Sequence, residues 1–206
     1  MASSMIHICV AKEVNKFLKR NEKEILIGSI APDISKQINE TKEKSHFLDN
    51  VEDDIPNIDR FLSKYKQNLN DDFVMGYYIH LYTDYLWFKY FISNFIKGDY
   101  IYTLDGKKIL LSDEDKLKYI YNDYTNLNIR LIDEYNLDLS IFYEEPPVLK
   151  NIIKEIPMDK IYIIIDKAGL IIKNTKINKS FIFNLDIINN FIEFAVNDIL
   201  IKLEKV

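Results

Sequence analysis

One cysteine, Cys9, stands in the 206 residues, which excludes an internal disulfide framework and any all-cysteine metal site. Positive charge is also short. The 27 Lys and Arg are outnumbered by 32 Asp and Glu, for a net charge of −5, so the clustered basic residues that non-specific nucleic-acid binding requires are missing. The N-terminus lacks a basic segment followed by an apolar stretch and a small-residue cleavage site, and a cytoplasmic location is the expectation that follows. Only one apolar run is long, Phe73 to Ile96. Asp84 and Lys89 each oppose its insertion into a membrane by roughly 2.5–3.5 kcal/mol, so no transmembrane segment is expected. Histidine is scarce too: there are three, and none follows His80.

What is present is ordinary globular composition, with 48% hydrophobic and 29% charged residues. No internal repeat, low-complexity linker or domain boundary is visible, so residues 1–206 read as a single domain with a sizeable core. The fold class expected is mainly α, a helical bundle around a buried central helix at about 71–97. Asp71 or Asp72 can cap that helix and Gly98 supplies its stop. At 100° per residue, Phe73, Gly76, Tyr77, His80, Asp84, Trp87 and Phe91 share one stripe, while Tyr78, Tyr82, Tyr85, Lys89 and Ser93 lie opposite. His80 and Asp84 are thus neighbours one turn apart on the face expected to be buried. A buried carboxylate costs several kcal/mol unless compensated, and a metal ion compensates it well. A hydrogen-bonded core His–Asp pair is the plainer reading of the same spacing.

Along the rest of the chain, Ser3 or Ser4 caps a helix to about Lys19, with His7, Val10, Ala11, Val14, Phe17 and Leu18 on its inner face. Glu24 to Ile30 reads as a short apolar helix broken at Ala31-Pro32-Asp33, which aims the Asp33 carboxylate from its end. Residues 35–54 read as irregular, with Ser45-His46-Phe47 as the local marker, and Pro56 introduces a helix over 57–65. Tyr100–Tyr102 and Ile109–Leu111, joined around Asp105-Gly106, predict a small β-hairpin near 100–111. Ser112 with Asp115 predicts a capped helix to about Tyr135. Pro146-Pro147 is expected to open a helix to about Glu155. Residues 159–173 fit strand or helix. Asn184 is expected to cap a last helix to Glu204.

Zinc takes imidazole nitrogen and carboxylate oxygen in four-coordinate sites, so His80 and Asp84, with His7, His46 and Asp33 from separate segments, form a candidate ligand set. The ordered series His7, Ile27-Gly28-Ser29-Ile30-Ala31-Pro32-Asp33, Ser45-His46-Phe47 and Gly76-Tyr77-Tyr78-Ile79-His80-Leu81-Tyr82-Thr83-Asp84 resembles the zinc-dependent phospholipase C family. It is most similar to the short, unsecreted bacterial members described as hydrolases, which share the opening Met1-Ala2-Ser3 and the run His80 to Trp87. The resemblance covers about residues 1–97, the metal-site half; nothing in the helical half, about 98–206, takes part in it.

The resemblance implies a mostly helical fold with a metal cluster between helices and hydrolysis of phosphate esters by metal-activated water. It implies that Asp33, His46, His80 and Asp84 surround one zinc, that His7 holds a second bridged by Asp84, and that Asp33 has a further catalytic role as general base. The secreted members hold another zinc through two histidines and a glutamate beyond the central helix. With no histidine after His80, this chain is expected to take one or two ions, zinc or another divalent transition metal. The substrate implied is a phospholipid headgroup or other small phosphodiester. Two other classes are weighed against this enzyme. One is a non-catalytic helical protein with a structural metal, marked by a closed four-ligand site; the other is a protein- or membrane-surface-binding module, marked by an exposed apolar patch in the second half.

Overall fold

The computed structural model describes residues 2–138, 140–173 and 179–206, without the side chains of 171–173; Met1 of the opening motif lies outside them. The chain is mainly helical with a small antiparallel sheet, as the hydrophobic periodicity predicts. No helix among the described residues is long and apolar enough to cross a membrane.

Helix α1 (Ser4–Leu18) is capped by the Ser3 hydroxyl, which accepts from the Ile6 amide, and ends at Lys19 in the left-handed region. Phe17, expected on its inner face, is 67% exposed. It lies about 80° from His7 around the helix and so sits at the margin of the buried stripe. Helix α2 (Glu22–Gly28) leads into a 3₁₀ turn, Ala31–Asp33. Residues 35–54, expected to be irregular, contain the short helices α3 (Ile34–Gln37) and α4 (Lys42–Ser45). A single turn carries too little apolar periodicity to be seen in sequence. Helix α5 (Ile58–Tyr65) starts at an Asn57 cap.

The central helix, α6 (Asp72–Leu86), is shorter than expected. It loosens into a π-helical turn at Trp87–Phe91 and a 3₁₀ turn at Ile92–Asn94. Residues 96–97 are already strand β1. Gly98, read as the helix stop, has φ 57° and turns β1 into β2 (Tyr100–Tyr102). The expected hairpin is therefore a three-stranded sheet, with Ile96 opposite Ile101 and Tyr100 opposite Leu110 of β3 (Lys108–Leu110). Tyr78 and Tyr82, placed on the outer face of α6 by its periodicity, are buried. The helix is surrounded by α1, α2, α5 and α9 (Leu185–Leu203), so it has no solvent face over these turns.

The α2–α6 contact is the closest in the fold. A Cβ on Gly28 would stand 2.2 Å from the Phe73 carbonyl oxygen, and one on Gly76 would stand 2.1 Å from that of Ile25. Two facing glycines let the backbones touch.

In the second half, α7 (Asp113–Glu134) has the expected Ser112 cap, and α9 has the Asn184 cap. Residues 158–173 resolve as a 3₁₀ turn and α8 (Tyr162–Lys173). The helix expected after Pro146-Pro147 is absent, because residues 145–153 form no regular element. This segment is held from outside: Ile153 is buried, and the Lys154 amide donates to the Tyr65 hydroxyl (3.0 Å), which donates to Glu155 (2.6 Å). Asp123 on α7 accepts from the amides of Phe181, Ile182 and Phe183 at 2.6–2.8 Å, fixing the chain before α9. Phe183 then packs with Trp87, Phe91 and Tyr124.

Candidate metal centre

Five side chains from four separate segments meet beside α6. His80 and Asp84 project from its middle, His7 comes from the first turns of α1, Asp33 ends the 3₁₀ turn after α2, and His46 follows α4. All five are buried. The local devices that place them are identifiable. The glycine contact brings the end of α2 against α6, so that the Ser29 carbonyl oxygen lies 2.7 Å from His80 Nδ1. Pro32 at the start of the 3₁₀ turn reverses the chain and leaves Asp33 facing inward. Tyr77, one turn before His80, donates to the Ser45 carbonyl and holds the His46 loop. Phe47, directly after His46, has φ 55°, a left-handed conformation that costs a side-chain-bearing residue roughly 1–2 kcal/mol. Its ring packs on Phe61 and Tyr77 at 5.2 and 6.4 Å, which fixes that geometry.

The proton positions follow from the partners. The Ser29 carbonyl only accepts, so a neutral His80 carries its proton on Nδ1 and presents a lone pair on Nε2. The Ser45 hydroxyl lies 2.9 Å from His46 Nδ1 and within reach of Ser35 Oγ (3.1 Å) and the Lys42 carbonyl (3.4 Å); with its one proton turned to either oxygen, it accepts from His46 Nδ1. His46 Nε2 is then a lone pair as well. The two Nε2 atoms face each other at 3.3 Å, an arrangement that a cation between them would make favourable.

Asp84 Oδ2 lies 3.6 Å from His80 Nε2 and 3.9 Å from His46 Nε2, and Asp33 Oδ1 lies 3.6 Å from His46 Nε2. These separations are long for hydrogen bonds. They are close to the edges of a coordination shell, since four donors about 2.0–2.1 Å from one ion stand roughly 3.3–3.5 Å apart. The other Asp84 oxygen, Oδ1, accepts from the Ala2 amide (3.0 Å) and lies 3.4 Å from His7 Nε2. The His7 ring stacks on His80 at 3.8 Å. Asp33 Oδ1 and both His7 nitrogens have no hydrogen-bond partner among the described residues.

Burial, and then the neighbouring His80, push the His7 imidazole down to about 4 from an ordinary 6.5. Burial also lowers His46, against the opposing pull of Asp33. Burial would raise the Asp84 carboxyl, but its contacts with His7 and His80 outweigh that and hold it well below the usual range. Asp33 moves the same way: burial is opposed by His46, by His80 and by Lys36, whose Nζ lies 4.0 Å from Oδ1. The lowered His7 and His46 imidazoles beside ionised carboxylates make a buried, electron-rich cluster whose donors fit a divalent transition ion of the zinc type. His7, His80 and Asp84 form one group able to hold an ion, and Asp33, His46 and His80 form another. The structure thus brings together all five residues singled out in the sequence.

No protein-family model, no curated protein and no solved structure matches the chain.

Asp33 also borders a cavity of about 730 Å³ between the metal centre, the π-helical turn, α7 and α8. Its exposed wall is largely apolar, with Trp87, Phe88, Ile120 and Tyr124, and its charged lining residues besides Asp33 are Lys36, Lys42, Lys116, Lys167, Asp54 and Asp113. Trp87 combines this lining position with packing on Phe91 and Phe191, whereas Tyr77 acts as core and as the anchor of Ser45. Lys36 escapes sequence reading because α3 does. With α3 in view, its i,i+3 spacing from Asp33 places the ammonium beside the carboxylate.

Proposed function

We propose that the protein is a metal-dependent hydrolase of phosphate esters. The observation that carries this reading is the double position of Asp33, which belongs to the ligand cluster and opens onto the cavity with Lys36 at its side. When bound, one or two zinc-type ions would supply an activated water and charge neutralisation for a phosphoryl group. His46, His80 and Asp84 Oδ2 are placed to hold the first ion, and His7 with Asp84 Oδ1 to hold the second. Asp33 is placed to complete the first shell or to take a proton from the attacking water, its unpartnered Oδ1 being the atom for either role. The four lysines of the cavity lining, Lys36, Lys42, Lys116 and Lys167, outnumber its carboxylates Asp33, Asp54 and Asp113, which suits an anionic substrate, and the apolar part of the wall suits the alcohol part of the ester. The resemblance to zinc-dependent phospholipases C supports the same class.

A second reading has its own support. Asp33, His46, His80 and Asp84 supply four protein donors, and a closed four-donor shell is the mark of a structural ion. The test is to reconstitute the chelated protein with zinc and assay phosphomonoesters and phosphodiesters. Hydrolysis that disappears with chelator and in Asp33→Asn and His80→Ala is the expected result. Full metal occupancy with no turnover of any ester favours the structural ion instead.

A further inference from the structure

The start of α1 forms part of the cavity wall: Ala2, Ser3 and Ser4 all line it, together with Asp33 and Lys36. Both serines are half-buried, so they reach the open side of the site. The Ser3 hydroxyl accepts from the Ile6 amide (3.3 Å), which leaves its own proton to donate. Among the described residues, neither serine hydroxyl donates to any acceptor. Helix α1 is 15 residues long and has no acidic residue in its first turn. Its aligned peptide dipoles place about half a positive charge at this end, where an anion is favoured.

Two buried side chains point independently to a ligand at the same place. His7, one turn into α1, is wholly buried, and neither of its ring nitrogens has a hydrogen-bond partner among the described residues. Its Nε2 lies 3.4 Å from Asp84 Oδ1, the oxygen that also accepts from the Ala2 amide (3.0 Å), so the ring is turned toward the start of its own helix. Asp33, a lining residue with a side chain only 9% exposed, leaves Oδ1 without a hydrogen-bond partner as well. These atoms are closed to the cavity and suit an enclosed ion. The donors on the open side are the serine hydroxyls. An ion held by His7 and Asp84 would neutralise the carboxylate at the helix start and leave the dipole and the hydroxyls to act on an anion.

We infer that the N-terminus of α1 is a phosphoryl-binding subsite, in which the Ser3 and Ser4 hydroxyls donate to non-bridging oxygens of the phosphate group. The inference rests on the phosphoester reading for the identity of the anion; the place and polarity of the subsite come from α1. Ser4 is the residue that separates ligand binding from helix stability. Ser3 is the cap, so the Ser4 hydroxyl caps nothing. A carboxylate at the first helical position is favoured by the dipole. Ser4→Asp therefore supports the helix start while placing negative charge where the ligand brings its own.

The experiment measures, by calorimetry, the binding of inorganic phosphate and of methylphosphonate to zinc-loaded wild type, Ser4→Ala, Ser4→Thr and Ser4→Asp. Elemental analysis fixes the zinc content of each protein beforehand, and urea unfolding its stability. Ser4→Ala should bind both anions about tenfold more weakly than the wild type, the factor that about 1.4 kcal/mol represents. Ser4→Thr, which keeps the hydroxyl, should bind like the wild type. Ser4→Asp should bind neither anion measurably, with a urea midpoint at or above the wild-type value. Undiminished affinity in Ser4→Ala or Ser4→Asp, no binding of either anion by the wild type, or a loss in Ser4→Ala that follows a loss of zinc each overturns the inference. Anion affinity that depends on Ser4 in a protein that hydrolyses no ester overturns the enzyme reading and leaves the subsite standing. Ester hydrolysis with an anion affinity indifferent to Ser4 does the reverse.

Discussion

Gly28 and Gly76 meet backbone to backbone, and no side chain fits at either position: the gap between each would-be Cβ and the facing carbonyl oxygen is 2.2 Å and 2.1 Å. Gly76→Ala therefore forces α2 away from α6. Overpacking a core typically costs about 1–3 kcal/mol, and a clash with rigid backbone belongs at or above the top of that range. Because the Ser29 carbonyl that orients His80 follows Gly28 directly, metal affinity should fall together with stability. Urea unfolding and zinc titration of Gly76→Ala check both; an unchanged urea midpoint would contradict the packing argument.

Asp123 provides the contrasting case, far from any metal ligand in sequence. Its carboxylate is wholly buried and accepts from three consecutive backbone amides. Asp123→Ala orphans all three donors, at roughly 1–3 kcal/mol each, so a loss of at least about 3 kcal/mol is expected. Zinc stoichiometry of the fraction that remains folded should stay at the wild-type value. A fall in stoichiometry would contradict a role for Asp123 confined to holding the chain before α9.

The parts of this molecule that could be read from sequence are those written in a local code. The caps at Ser3, Ser112 and Asn184, the broken helix at Pro32 and the turn at Gly106 are set by neighbours within four residues. The five candidate ligands were visible as polar residues on or beside apolar stripes, and their convergence is a property of the α2–α6 contact. What stayed hidden is non-local. The burial of Tyr78 and Tyr82 on all sides of α6 depends on α9, more than 100 residues away, whose Asp198 accepts from Tyr82 (2.9 Å). The irregular path of residues 145–153 is set by partners such as Tyr65, and the early end of α6 by a sheet that captures Ile96 and Lys97.

Metal-free protein should weaken as the solution is acidified from pH 7. The unfolded chain takes up a proton on His7 near 6.5, while the buried ring in the folded state holds out until about 4. Between those values the unfolded state binds more protons, so stability falls as pH drops; the His7 share of the loss levels off below about 4, where the depressed carboxyls of Asp33 and Asp84 continue it in the same direction. The full effect is about 3 kcal/mol in order of magnitude, and His46 adds to it in the same direction. Urea midpoints of chelated protein at pH 7, 6, 5 and 4.5 measure the trend, and His7→Phe should flatten part of it. A wild-type midpoint constant from pH 7 to 5 would rule out a buried neutral His7.

Metal content is expected to be at most two ions per chain, with unequal affinities. Zinc takes about four donors, and the separations of 3.3–3.9 Å that link His46 to Asp33, His80 and Asp84, and His80 to Asp84, lie at or above the edges of one such shell. A second ion has His7 Nε2 and Asp84 Oδ1 as its nearest donors, 3.4 Å apart, with water to complete it. It should therefore leave first as chelator is added or pH is lowered, because its only imidazole is the one that protonates at its expense. A third transition ion would need nitrogen or sulfur donors, and the chain has three histidines, already used, and one cysteine, which is buried in α1. Asp84→Asn should lower both occupancies, since each of its oxygens is placed for a different ion, and should remove the gain in melting temperature expected on adding zinc to the wild type. His7→Ala should remove one ion and leave the other. Elemental analysis of zinc-equilibrated, untagged protein decides it: three ions per chain would contradict the donor count, and unchanged stoichiometry in His7→Ala would remove the second position.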